Sequence, residues 1–172
     1  MPKSSSPSRA SGPTDPSALG REEPTDLLKL DRQVCFALAV ASRTVIGLYR
    51  PLLEPMGLTH PQYLVMLALW EDSPLRVSEL AERLSLEPAT LSPLLKRLES
   101  SGMVVRGRDP RDERALAVSL TREGRAARRQ AERIPAAIMA RLDKGIPELE
   151  ALRDSLSDLI AAAAEPEEAV GS

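Results

Sequence analysis

Val77-Ser-Glu-Leu-Ala-Glu-Arg-Leu84 and, after a two-residue break, Glu87-Pro-Ala-Thr-Leu-Ser-Pro-Leu-Leu-Lys-Arg-Leu-Glu-Ser-Ser101 decide the fold. Val77, Leu80, Ala81 and Leu84 recur at helical spacing, and so do Leu91, Leu94, Leu95 and Leu98. Each segment predicts a helix seated on a core by one stripe. The opposite side of the second carries Ala89, Thr90, Ser92, Pro93, Lys96 and Arg97. These side chains are small, hydroxyl-bearing or cationic, so a duplex could approach closely and find hydrogen-bonding partners. Gly102 stops this helix. Whether it starts at Glu87, or later with Ser92 as cap and Pro93 in its first turn, is open from the residues alone.

Downstream, Met103–Arg106 and Ala115–Leu120 have strand character, with Leu116, Val118 and Leu120 alternating onto one face. Between them Gly107-Arg-Asp-Pro-Arg-Asp-Glu-Arg114 is a charged, turn-prone loop. Helix, turn, helix and hairpin over residues 76–120 make a winged helix-turn-helix, mainly α with a small β-hairpin wing. The second helix then enters a major groove while the wing lies over backbone and minor groove.

Upstream, a long helix from Asp26 or Asp31 to Glu54 is apolar on more than one side (Val34, Phe36, Leu38, Val45, Ile46, Leu48, Leu52, Leu53). Asp31 as cap puts Leu30 and Cys35 at staple positions, and Pro51 interrupts the helix or ends it early. Thr59-His-Pro-Gln62 fits a capping box that opens a nearly all-apolar core helix ending near Glu71. After the wing, Thr121 caps a helix to Lys144, kinked at Pro135 and ended by Gly145. A last helix runs from Pro147 to Ala164 with Leu149, Leu152, Leu156, Leu159 and Ile160 as its stripe. These terminal helices (27–57 and 121–164) have apolar stripes and no third layer within one chain, which predicts an intertwined homodimer. Folding back on their own winged helix is the alternative. Residues 1–24, rich in Ser, Pro and Gly, and the acidic tail 165–172 read as disordered ends around a domain at 25–164.

Composition narrows the function. The chain has 172 residues and net charge −2, which does not suit a nucleic-acid binder until charge is mapped along it. From Lys96 to Arg129, ten basic residues against five acidic ones leave +5, and the remainder carries −7. That segregation fits an electrostatic footprint for DNA, although a solvated helix face accounts equally for Arg122–Arg129. No apolar run approaches the roughly 20 residues of a membrane span, and no secretory segment opens the chain, so a cytoplasmic protein is expected. One cysteine and one histidine exclude an internal disulfide, a multi-cysteine metal site and a histidine cluster, and no cofactor is expected.

Ser78–Leu84, Thr90-Leu91, Leu94–Glu99, Gly102-Met-Val and Asp112-Glu-Arg114 together resemble the MarR family of dimeric winged-helix repressors over about residues 27–164. Gln33-Val-Cys-Phe36, Tyr49–Glu54 and Gly57–Leu64 are similar to its organic-hydroperoxide-sensing branch, the OhrR repressors, in their one-cysteine type. The resemblance implies a homodimer on inverted-repeat operator DNA and a redox sensor at Cys35. On that resemblance, an organic hydroperoxide is expected to oxidise the Cys35 thiolate to sulfenic acid. A small thiol then caps it as a mixed disulfide, or it overoxidises, and DNA is released. An early-helix position favours the thiolate, since unpaired backbone N–H groups and the macrodipole stabilise an anion there. Without the motif, a lone cysteine reads as a buried small hydrophobe.

The resemblance assigns Tyr49 as thiolate support from the other subunit. Two further family tyrosines fall at Ala39 and His60; Ala39 cannot donate, and His60 is open between N–H donor, charged neighbour of the sulfur and ordinary helix-entry residue. For DNA it carries over Thr90, Ser92, Lys96 and Arg97, with Arg114 as the minor-groove arginine, Asp112 orienting it, and Arg106 and Arg108 as phosphate contacts. Three other functions compete, one of them a protein-interaction module that never touches DNA, whose binding would not weaken with added salt. A repressor of the same type could sense a small aromatic or antibiotic-like ligand with Cys35 incidental. A Cys35–His60 enzyme lacks a regenerating or orienting group, so no enzymatic activity is expected.

Overall fold

The structure is a computed structural model that describes residues 28–109 and 112–164, without the side chains of Asp112 and Glu113. The two expected tails therefore lie outside the described residues. The described residues divide into two compact units, one ending at Val40 and the other starting at Ala41.

In the first unit a 3-10 turn, Leu30–Arg32, precedes helix α1 (Val34–Leu53), which begins here and continues into the second unit. Asp31 therefore sits inside the 3-10 turn and is not the cap of α1, contrary to expectation. The apolar side chains at the start of α1 are largely bare: Val34 is 61% exposed, and Phe36, Leu38 and Val40 are exposed too.

In the second unit α1 runs through Pro51 without breaking there. Proline removes the bond to the Gly47 carbonyl, a loss tolerable in a helix's last turn. The Arg141 guanidinium donates 2.7 Å to the neighbouring Leu48 carbonyl, supplying a donor beside the disturbed turn. Val34–Met56, 23 residues whose most apolar 18-residue window has a mean hydropathy of about 1.2, is by length and composition alone long and apolar enough to cross a bilayer, as the core helix of a soluble protein also can be. The sequence reading looked for an unbroken apolar run, which Arg43 and Arg50 interrupt without lowering the average below that level.

After a 3-10 turn (Glu54–Met56) and Gly57 at φ +65°, helix α2 (His60–Glu71) starts at the expected box, with the Thr59 N–H donating 2.8 Å to Gln62 Oε1. Tyr63, Val65, Met66, Leu69 and Trp70 are buried, whereas Leu64 and Leu67, expected in the core, are exposed on the outer face.

The reading unit comprises strand β1 (Leu75–Arg76), helix α3 (Val77–Arg83), helix α4 (Pro88–Ser100), strand β2 (Val104–Asp109) and strand β3 (Asp112–Leu120). The sheet is three-stranded and antiparallel, ordered β1-β3-β2. The expected hairpin thus gains a third strand, because two residues are too few to show a period-2 pattern. The hairpin also reaches further into the charged loop than expected, pairing Asp109 with Asp112. Its outer part leaves the core, so Leu116 is 60% exposed while Val118 and Leu120 are buried.

Gly102 at φ +72° ends α4 as expected, its N–H reaching the Glu99 carbonyl while that of Met103 reaches Leu98. Thr121 caps helix α5 (Arg122–Ala131), its Oγ1 accepting from Gly124 N at 2.9 Å. Two boundaries beyond it differ from expectation. The chain breaks at Glu132–Arg133, so Pro135 falls in the first turn of helix α6 (Ile134–Leu142) rather than at a kink. Asp143, in the left-handed region at φ 50°, ends α6 before Gly145 is reached. Helix α7 (Ile146–Ala164) has no fully buried residue.

Candidate nucleic-acid interface and thiol site

Helix α4 is built to present one face. Leu91, Leu95 and Leu98 are buried at 0–1% exposure and seat it against α2 and the sheet. Ala89, Thr90, Ser92, Pro93, Lys96 and Arg97 are all exposed. Glu87 is the cap and Pro88 opens the helix, which closes the alternative of a start at Ser92. Pro93 therefore lies inside the helix on the outward face, where it withholds an N–H from the Ala89 carbonyl. Among the described residues, Lys96 and Arg97 form no ion pair.

The wing cations differ from one another. Arg106 is engaged by Glu99 of α4: its Nε lies 2.9 Å and its Nη2 2.5 Å from Glu99 Oε2, and its backbone N–H donates 3.3 Å to Oε1. The guanidinium holds the Glu99 carboxyl below its usual range. Arg106 thus braces the recognition helix to the wing, and reaching a phosphate means exchanging Glu99 for it. Arg108 and Arg114 stand exposed on β2 and β3. The orienting role expected of the Asp112 side chain lies outside the described residues.

Two features escaped the sequence reading. Asp109, counted there only as one acid of a charged loop, is 1% exposed and meets Arg76 Nε at 2.5 Å. Trp70, read only as core, donates its indole N–H to the Gly124 carbonyl at 2.8 Å. Gly124 is obligatory there, since a Cβ would stand 2.0 Å from the Met103 carbonyl oxygen. An apolar residue before an acidic one, in the case of Trp70, and a Gly one turn into a capped helix, in the case of Gly124, were the only signals.

The expected thiolate supports come together on α1 and α2. The Tyr49 and His60 rings pack edge-on with centroids 5.0 Å apart, and Tyr63 joins Tyr49 at 6.0 Å. Burial raises both tyrosine hydroxyls above their ordinary value, so they stay protonated donors. Burial pushes His60 below its ordinary value, which disfavours its charged form. Arg50, Leu53, Leu58 and His60 line a groove of about 460 Å³ beside this cluster. Cys35 belongs to the first unit, where it is a free thiol, exposed in the first turn of α1.

Residues 58–116 match the model of the MarR family. The chain is 38% identical over 139 residues to the organic hydroperoxide resistance transcriptional regulator of Bacillus subtilis (strain 168), covering 81% of this chain and 95% of that one. It superposes on DNA-bound reduced AbfR, a protein of Staphylococcus epidermidis, with a TM-score of 0.66 at 33% identity, covering 79% of this chain and 95% of AbfR. CouR of Rhodococcus jostii RHA1, solved bound to p-coumaroyl-CoA, gives a TM-score of 0.67 at 28% identity over 83% of this chain and 99% of CouR.

Proposed function

The chain belongs to the MarR family of winged-helix transcriptional regulators, and from that premise we propose that it is a dimeric repressor which releases its operator when an organic hydroperoxide oxidises Cys35. The observation that carries the sensor is Cys35 itself: the chain's one cysteine, exposed at the start of an apolar helix, in a protein similar to a hydroperoxide-resistance regulator.

The chemistry balances without a cofactor. The thiolate sulfur attacks the distal peroxide oxygen, the O–O bond breaks, and the alkoxide leaves and takes a proton to become the alcohol. Sulfur loses two electrons and becomes sulfenic acid. A small thiol then displaces hydroxide from that sulfur, giving a mixed disulfide and water. Alternatively a second hydroperoxide carries it to the sulfinic acid. Tyr49 of a second copy would donate its hydroxyl to the thiolate, with His60 a neutral N–H beside it.

Dimerisation is supported by the uncovered apolar surface. Phe36, Leu38, Val40 and Ile46 of α1, and Leu152, Leu159 and Ile160 of α7, are exposed in the single chain. A second copy with the same surface buries both sets and places two α4 helices on an inverted repeat. On each half-site Thr90, Ser92, Lys96 and Arg97 face the major groove, and Arg108 and Arg114 reach the backbone and minor groove.

The test is an operator gel shift with cumene hydroperoxide and mass analysis of the thiol. Wild type leaves the DNA as its mass rises by one oxygen or one thiol adduct, and Cys35→Ser stays bound. Release of Cys35→Ser by the peroxide sinks the sensor. One observation favours a second reading. The groove beside Arg50 and His60 has room for a small aromatic acid, and in that case the ligand displaces wild type and Cys35→Ser from DNA alike.

A further inference from the structure

Strand β2 has an unusual burial pattern. Val104 at its base is buried, the next four residues are exposed, and Asp109 at the far end is buried again with its side chain at 0% exposure. A carboxylate out on a solvated wing has no reason to shed its water unless something there compensates its charge. Arg76 does so, from two strands away. It stands on β1 opposite Ala117 of β3, and its side chain crosses that central strand to reach Asp109 on β2. The register shift between Arg108 and Asp109 re-aims the carboxylate, as irregularities of this kind do. Arg76 is also the cap residue of α3, its backbone N–H donating 2.7 Å to Glu79 Oε2.

We propose that Arg76 and Asp109 form a clamp that sets the angle of the wing against the helix-turn-helix, and that both are positioning residues for DNA binding. The pair joins the start of α3 to the outer end of β2. Arg108 adjoins the clamped residue in sequence, and Arg114 lies just past the paired Asp112 on β3, so where both guanidiniums arrive over the duplex follows from where Asp109 is held. Asp109 is sealed from solvent and cannot touch DNA itself. The proposal rests on the DNA-reading part of the function above and is independent of thiol chemistry.

The sign of one substitution separates positioning from charge. Asp109→Asn removes a negative group, so on charge alone it tightens binding to a polyanion. If the clamp aims the wing, affinity instead falls, by about tenfold, and the slope of log K against log salt flattens by about one for each phosphate that the wing no longer neutralises. The probe is a duplex selected by wild type from a random library long enough for two half-sites, read by titration at several salt concentrations and by minor-groove footprinting. Arg76→Lys, which keeps the charge over the buried carboxylate and moves its donors, changes affinity in the same direction. It carries the test if Asp109→Asn melts below the assay temperature. Unchanged or tighter binding by the folded variant, with the wild-type salt slope and footprint, overturns the clamp. A wild type that selects no duplex overturns the DNA reading, and the clamp's role with it.

Discussion

The indole N–H of Trp70 donates to the Gly124 carbonyl at 2.8 Å, joining residues 54 positions apart in a buried contact between α2 and α5. Each end is tied further. The Trp70 ring packs against Tyr63, 6.2 Å away, and Tyr63 against Tyr49. Gly124 abuts the Met103 carbonyl, which with that of Gly102 accepts from Thr121 Oγ1 just past the end of α4. Packed groups therefore connect the tyrosine cluster to the end of the recognition helix. Trp70→Phe removes the indole N–H and leaves space that its smaller ring does not fill, and should cost about 1–3 kcal/mol in chemical denaturation. Gly124→Ala has nowhere to place its Cβ and should cost about 3 kcal/mol; equal, negligible losses contradict this packing.

His60 makes stability depend on pH in a definite direction. Burial lowers its value in the folded chain below the ordinary 6.5, so below that pH the unfolded chain binds the extra proton. Stability is full above the unfolded value and declines as pH falls through it toward the folded value, where the loss levels off. Thermal melts between about pH 8 and pH 5 should show this decline, and His60→Gln should remove part of it. A variant with the wild-type pH profile assigns the dependence to other groups.

Lys96 and Arg97 are the cations of α4's open face. Replacing either by Ala should weaken binding to the selected duplex and reduce the salt slope by about one. Thr90→Ala or Ser92→Ala, which lose no charge, should leave the slope as it is and relax base preference. A slope that ignores Lys96 and Arg97 places the duplex elsewhere.

The exposed apolar side chains of the terminal helices predict the assembly. Sedimentation of the wild-type protein should give twice the 18.7 kDa chain mass. Leu38→Asp or Leu159→Asp, at positions 38% and 42% exposed in one chain, should shift it toward monomer. A monomeric wild type at micromolar concentration removes the dimer.

The sequence by itself determined the reading unit. Periodic leucines, Gly102, and the Thr59 and Thr121 caps are local signals, and each appears in the structure where its local chemistry requires. The outward face of α4 was legible for the same reason: a stripe of buried leucines defines its opposite side. Tertiary structure decided what depends on residues distant in sequence. Arg76 and Asp109 are 33 positions apart, and nothing in Arg-Asp-Pro-Arg tells a buried carboxylate from a solvated one until the sheet brings Arg76 across it. The same holds for Trp70 and Gly124, for the occupation of Arg106 by Glu99, and for the exposure of Leu64 and Leu67. A side chain's pattern announces which face it belongs to, but its partner and its access to water depend on which other segment of the chain covers that face.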